Sequence, residues 1–436
     1  MAKAVDVVVV GCGVIGASVA HALSRSGRRV LVLDARGAPG HGSTSASSAL
    51  IRFNYSTPAG VAAAWESQHC WVRWAEHLGW IDPAGLVTFH RTGVLHLDSP
   101  AMARRPVLDL FDEHRIPYEE FDARRMQARF PLLDVGRYWP NRPITDDAFW
   151  EPATSVLGGY FTPDAGFIDD PAHAAHNLAS AAEHAGARLW FNRRLTGIRQ
   201  HGSTWWLTLG DGSRLEAPVV VNAAGPWSTQ VNTMAGVGGD FTVTLRALRQ
   251  EVHYTRAPKP VSECADSWPV PGITDLDLGV YMRPGLAGTF LVGGTEPECD
   301  PLEWLDDPDA ARPTVSADCF ETQLTRASRR IPTLTIPNRA TGVAGVYDVS
   351  TDWTPIYDRT DADGFYVAIG TSGNQFKNAP IVGTLLRRLI DEVENGRDHD
   401  ADPVVHIGEY TGNPIDMATF SRRRPVNAAS SGTVMG

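Results

Sequence analysis

Asp6–Val10 is a β-branched run of the kind found in a parallel strand covered on both faces. Gly16 to Ser26 then carries Val19, Ala20 and Leu23 at helical spacing and stops at Gly27. Val30–Leu33 is a second apolar strand, ending at Asp34. The pattern predicts a strand–helix–strand unit within the first 34 residues.

The patterning changes along the chain. Gly37 to Ser48 is rich in Gly, Ser and Thr and reads as a loop. Pro58 to Leu78 reads as a helix with Trp65, Trp71, Trp74 and Leu78 near one side, more consistent with core than with a cofactor platform. Thr92–Leu97 reads as a strand and 101–130 as two helices. A second α/β block starts near Asp170, with an Ala-rich helix from Pro171 to His184. A strand, Leu189 to Ile198, follows, then a hairpin turning at Asp211-Gly212. Pro218 to Asn222 is a hydrophobic strand entering the small-residue turn to Trp227. Residues 240–300 alternate apolar and polar, as in an antiparallel sheet with one wet face. Phe365–Ile369 is a further buried strand, leading through a Gly-rich loop into a helix to about Val393.

The expected fold is therefore α/β, or α+β overall. A Rossmann-like dinucleotide domain is built from 1–84, 151–239 and 336–415. An interleaved antiparallel-sheet substrate domain is built from 85–150 and 240–335. The polar 416–436 segment reads as a flexible tail, with Arg422 to Arg424 solvated.

Composition narrows the function. A length of 436 residues suits two domains. A net charge of −11 without a long basic stretch argues against nucleic acid as partner. No apolar run approaches the roughly 18 residues of a membrane span. Cys12, Cys70, Cys264, Cys299 and Cys319 show no pairing or zinc spacing, which points to a reducing, cytoplasmic setting. The fourteen histidines do not form paired ligand spacings with carboxylates, so no metal site is expected.

Gly11-x-Gly13-x-x-Gly16 sits between the first strand and its helix. The first Gly permits the tight turn, the second lets backbone approach a pyrophosphate, and the third lets helix and strand pack closely. Asp34 lies 18 residues beyond Gly16, where a carboxylate accepts from a ribose 2′-OH and repels a 2′-phosphate. FAD and NAD share this fingerprint. The second Gly-rich strand–loop–helix, Ile369 to Ile381, suits the longer flavin cofactor.

Five stretches then act together: Val9 to Gly16, Gly42 to Arg52, Val220 to Trp227, Gly345 to Asp348 with Asp352 to Pro355, and Gly364 to Lys377. In order and spacing they resemble the D-amino-acid oxidase/sarcosine oxidase superfamily of FAD-dependent amine oxidoreductases. The closer likeness is to its sarcosine oxidase/dimethylglycine dehydrogenase branch. The resemblance implies that Arg52 and Lys377 hold a substrate carboxylate beside the flavin. It places Tyr281 and Tyr347 at the substrate pocket. It implies FAD contacts along Gly11, Gly13, Val14, Ile15, Gly16, Asp34, Ala35 and Arg36, and along Gly42, Ser43, Thr44, Ser45 and Arg52. Further contacts fall at Leu195, Ala224, Gly225, Trp227, Gly345 and Tyr347, and at Gly373, Asn374, Gln375, Phe376 and Lys377. Read from the residues alone, two cations on Gly/Ser-rich loops of an acidic chain make a local anion site. The alternatives are a surface ion pair for Arg52, a helix cap or flavin contact for Lys377, and ordinary core packing for the tyrosines.

The chain departs from the branch at four places. Gly345 stands where a flavin-linked cysteine often occurs, and Ser45-Ala46-Ser47 stands where a linking histidine can. His41 remains as a possible link, but non-covalent FAD is the expectation. No lysine occurs around Leu291-Val292-Gly293, where the branch carries one that promotes reaction with oxygen. Asn374-Gln375 replaces a usual His-Gly. The expected activity is oxidation of the C–N bond of an amino acid or N-alkyl amino acid, by hydride transfer to flavin N5, giving an imine that hydrolyses. O2 or another electron acceptor takes the electrons. The rivals are oxidation of a 2-hydroxy acid, a flavoprotein subunit that needs a partner, and an NAD-dependent dehydrogenase.

Overall fold

The computed structural model describes residues 5–258 and 270–436. Cys264 and part of the 240–300 stretch lie outside them. A six-stranded sheet runs in the order Ile356–Arg359, Phe365–Ile369, Val219–Asn222, Val7–Val10, Val30–Leu33, Arg188–Trp190. All neighbours are parallel except the first pair. Strand Val7–Val10 is central, and its four valines are buried on two faces. Val7 and Val9 pack into the core that contains helices Val14–Arg25, Pro171–His184 and Ala379–Glu394. Val8 and Val10 face a three-stranded antiparallel sheet through Leu195, Ile198, Trp205 and Leu207. The period-two alternation of a strand thus serves two layers at once.

Val10 pairs with both Leu33 and Asn222. That register brings the C-terminal ends of three strands to one level, where ligands bind in open parallel sheets. Helix Pro171–His184 begins with Asp170 accepting from His173 N–H and Pro at the first turn, a good N-cap.

A second, mostly antiparallel sheet has the order Glu303–Leu305, Leu245–Arg256, Thr289–Gly294, Val280–Pro284, Gly272–Asp275, Val94–Leu97, Gly159–Thr162, Glu119–Phe121. Strand Gly342–Ser350 also pairs along Leu245–Arg256. Helix Ala317–Arg330 covers one face, setting Phe320, Leu324 and Ala327 against Val280, Met282, Phe290 and Val292. Two strands cross the expected boundaries. Gly159–Thr162 falls in 151–239 and Gly342–Ser350 in 336–415, yet both belong to this sheet. Their partners are set by long-range pairing, which local pattern does not reveal.

The expected flexible tail is a correction. Residues 416–436 are docked. Met417 and Phe420 are buried. Arg422 is fully buried among Asp240, Asp358 and Asp400, and Arg424 pairs with Asp352 at 2.8 Å. Arg422 and Arg424 are neutralised by acids from distant segments rather than solvated; Arg423 stays half exposed beside Asp240 and Asp400. The Trp-rich stretch forms Pro58–Val72 and Trp74–Leu78, broken at Arg73. No helix among the described residues is long and apolar enough to cross a membrane.

Candidate active site

The fingerprint turn is held by backbone contact. Gly11 has φ +101°, and a Cβ there would lie 2.4 Å from the Ala223 carbonyl oxygen. A Cβ on Gly16 would lie 2.0 Å from Gly11 O. Only Gly fits either place. Gly13 is the N-cap of helix Val14–Arg25, and Val14 N–H donates to Thr44 Oγ1 at 3.1 Å. The Gly42–Ser45 loop is thereby drawn over the helix N-terminus. Asp34 accepts from Cys12 N–H at 2.6 Å and from Arg36 N–H at 2.7 Å. Burial raises its carboxyl pKa against these hydrogen bonds. Each carboxylate oxygen keeps a lone pair for a ribose hydroxyl.

A cavity of about 430 Å³ runs from this turn to the late loop. Its wall includes Gly11, Gly13, Val14, Ile15, Asp34, Ala35, Arg36, Gly42, Ser43 and Thr44. It continues through Leu195, Ala224, Gly225, Trp227, Tyr347, Gly373, Gln375 and Phe376. Six expected cofactor residues lie off this wall: Gly16, Ser45, Gly345, Arg52, Asn374 and Lys377. Gly16 serves packing. Ser45 Oγ donates to Gly42 O at 3.0 Å. Gly345 abuts the turn, since a Cβ there would sit 2.7 Å from Ala46 Cβ. His41 is exposed and also off the wall. The cavity has a volume suited to a cofactor. It joins an acid-bearing end to a distant Gly-rich end, and its wall is bare backbone at the glycines. FAD fits such a cradle.

Arg52, Lys377, Tyr281 and Tyr347 meet in a second, smaller cavity of about 40 Å³. Ser47, Tyr347, Gly373 and Phe376 line both cavities, so the two abut. Arg52 and Lys377 are buried. Arg52 donates to Asn54 O at 2.9 Å, to Met435 O at 3.0 Å and to Val434 O. Lys377 Nζ donates to Asn374 O at 2.6 Å and lies 4.4 Å from the Tyr55 ring centroid. Neither cation has a carboxylate in ion-pair contact among the described residues. Burial lowers both pKa values, and Arg52 lowers that of Lys377 further. Burial raises the Tyr347 and Tyr281 phenols, and the two hydroxyls interact.

The loop that carries Lys377 is braced from behind. Trp71 donates to Lys377 O at 2.8 Å and stacks on Phe376 with ring centroids 5.5 Å apart. Gln375 bridges Tyr357 and Tyr55, each at 2.9 Å, and Asn378 joins the same network. The Asn374-Gln375 pair therefore builds a buried polar network that braces the loop, in which Asn378 Oδ1 alone lacks a partner among the described residues.

Sequence patterning did not identify four features. Val434 and Met435 seal the Arg52 cavity; the only hint is an apolar pair in a small-residue tail. Glu296, at φ +51°, accepts from Gln250 Nε2 at 2.9 Å and from Val434 N–H at 2.8 Å. Loss of solvent pushes its pKa up to about 8. Arg283 pairs across strands with Leu291, so a cation stands opposite the stretch that lacks a lysine. It donates to Ser48 O and lies 4.2 Å from the Phe167 ring centroid. Glu251, His253 and Cys319 place ligand-type atoms within 4.8 Å of one another. There Arg249 holds Glu251 at 2.6 Å, so the group is charge-neutralised without an ion.

The profile of the FAD dependent oxidoreductase family (DAO) matches residues 6–389. The chain is 24% identical to FAD-dependent oxidoreductase domain-containing protein 1 of Xenopus laevis, over 88% of this chain and 79% of that protein. It is 24% identical to glycine oxidase of Geobacillus kaustophilus (strain HTA426), over 90% and 94%. Among solved structures, L-proline dehydrogenase from P. horikoshii aligns with a TM-score of 0.71 at 21% identity, covering 90% of this chain and 95% of that one.

Proposed function

The chain belongs to the DAO family of FAD-dependent oxidoreductases, and from that premise we propose that it oxidises the C–N bond of a small amine bearing a carboxylate, an amino acid or N-alkyl amino acid. The observation that carries this reading is a pair of buried cations, Arg52 and Lys377, sharing a cavity that abuts the cofactor cavity without an acid in ion-pair contact among the described residues. Burying charge is costly unless it is paired. A substrate carboxylate supplies the missing partner.

The cofactor cradle is Gly11–Gly13 with the N-terminus of helix Val14–Arg25 for pyrophosphate, Asp34 for ribose, and the Gly373–Phe376 loop at the far end. Bound FAD supplies the acceptor, at N5, for a hydride from the carbon that bears the amine. Arg52 and Lys377 fix the carboxylate and so aim that carbon at the cofactor cavity; positioning of this kind is a large part of the rate. The same two cations favour the neutral amine, so no dedicated base is required. Tyr347 stands in the wall between the cavities and Tyr281 lines the smaller one, and both keep neutral hydroxyls beside the reacting group. A substrate carboxylate takes the place on Arg52 that the carbonyls of Val434 and Met435 hold in the resting protein. The imine product hydrolyses in water, and O2 or another acceptor completes turnover.

The test is an anaerobic screen of N-methyl, cyclic and D-amino acids, with 2-hydroxy acids in parallel, read at the flavin absorbance band. Bleaching by at least one amine class supports the proposal. Bleaching by hydroxy acids alone overturns it.

A further inference from the structure

Behind the Arg52 cavity lies a third, smaller space, lined in part by His96, Tyr160, Thr274 and Met435. Thr274 and Met435 line both spaces, so Met435 separates them. The polar groups around Met435 are unusual for a protein interior. His96 and Thr274 are each 3% exposed. Both ring nitrogens of His96 and the hydroxyl of Thr274 have no hydrogen-bond partner among the described residues. Nor has Asn54 Oδ1, whose residue is fully buried and held through Nδ2 to the Tyr160 hydroxyl. His96 stacks on Tyr160 with ring centroids 4.8 Å apart. Buried polar groups are nearly always bonded, and each orphan costs stability. A thioether accepts only weakly and donates nothing, so Met435 cannot satisfy them all.

We infer that the orphaned groups of His96 and Thr274 form the side-chain subsite of the substrate, and that the substrate is an amino acid whose side chain ends in an uncharged hydrogen-bonding group such as a carboxamide or hydroxyl. The inference rests on the reading of Arg52 as the carboxylate site. Val434 and Met435 already trace this layout: carbonyls on Arg52, and Met435 lining the space together with Thr274 and His96. A cationic terminus is disfavoured by nearby Arg52, and Asp98, which also lines the space, is already paired with Arg104; burial, with a further contribution from Arg52, keeps His96 neutral. A second carboxylate is disfavoured because Arg104, at the rim, is already shared between Asp98 and Glu120. What remains is a neutral group that both donates and accepts.

The experiment uses the full-length FAD-loaded protein with glutamine and methionine, both enantiomers of each, and glycine. Two readouts are taken: the anaerobic rate of flavin reduction and the shift in melting temperature at saturating amino acid. Glutamine and methionine match in length, so the comparison isolates the terminal group. The expected result is flavin reduction by one glutamine enantiomer about tenfold or more faster than by methionine or glycine. Thr274→Val, a near-isosteric change, removes that advantage, so that the glutamine-to-methionine rate ratio measured within the variant falls to about one. His96→Phe does the same, and its melting curve reports whether it folds. Equal rates for glutamine and methionine in the native protein, or an unchanged preference in Thr274→Val, overturn the inference. If no amine reduces the flavin, the reading of amine oxidation fails instead. The melting shifts then decide the subsite: stabilisation by glutamine over methionine, lost in Thr274→Val, upholds it, and no difference refutes it.

Discussion

Replacing Arg52 by Met removes a buried cation while keeping most of the side-chain volume. In the resting protein Arg52 donates to three carbonyls, those of Asn54, Val434 and Met435. Hydrogen bonds from a charged donor contribute roughly 1.5–3 kcal/mol each. Two such bonds to a substrate carboxylate, in a cavity only about 40 Å³ in size, place the loss near the range of about 2–5 kcal/mol seen when one member of a buried charge pair is removed. Lys377 remains to hold the anion, which keeps the loss off the upper limit. The account therefore predicts a fall in kcat/KM of roughly 100- to 1,000-fold for a carboxylate-bearing amine. Most of the fall appears in KM, because the contact is made in ground and transition states alike, and a smaller part in kcat from lost alignment. Arg52→Lys recovers part of it, limited by the missing planar fork. The assay is anaerobic stopped-flow reduction at several substrate concentrations, with flavin content and melting temperature measured on the same preparation. A folded, flavin-loaded Arg52→Met protein whose kcat/KM drops less than about threefold would refute the carboxylate-holding role.

Other perturbations test the surrounding structure. Gly11→Ala places a Cβ 2.4 Å from Ala223 O at φ +101°; strain of about 1–3 kcal/mol at that turn should leave a purified protein with little flavin, whereas a full flavin-to-protein ratio would contradict the cradle. Arg422→Ala takes the guanidinium from buried Asp358 and leaves Asp240 and Asp400 with Arg423 alone, and loss of about 3 kcal/mol should appear as a melting temperature several degrees lower; an unchanged melt would mean that the tail does not dock. Glu296 has its pKa raised from 4.5 to about 8, so the native state binds more protons than the unfolded chain between those values. Stability from this group is present in full below the lower value and is lost as pH rises through the folded pKa. Glu296→Gln should flatten that decline, gaining on the order of a few kcal/mol relative to the native protein by pH 8; parallel pH–stability curves for the two proteins would refute it.

What was legible in the chain was encoded locally. Val7–Val10, Gly11, Gly13, Gly16 and Asp34 specify a strand, a turn, a helix start and an acid within 34 residues, and each requirement is steric or periodic. The loops ending in Arg52 and Lys377 stood out as Gly/Ser-rich stretches, but the role of their cations was implied only by the family resemblance. Features that depend on distant pairing were not legible. Strand Gly159–Thr162 joins the antiparallel sheet because Val94–Leu97 and Glu119–Phe121 flank it. Arg422 finds Asp240, 182 positions away, and a basic run without visible partners reads as solvated. Arg283 meets Leu291 only through cross-strand register. The orphaned His96 and Thr274 are unremarkable in a sequence, since an absent partner leaves no pattern.

The most direct test compares one substrate with and without its carboxylate. An N-methyl amino acid that bleaches the flavin anaerobically is set beside the matching secondary amine lacking the carboxyl group, at equal concentration. The account predicts fast bleaching by the first and a rate at least about 100-fold lower for the second, with the gap closing in the Arg52→Met protein. Equal bleaching by both amines, or a gap that survives in Arg52→Met, would contradict the claim that two unpaired cations beside the FAD cavity select a carboxylated amine.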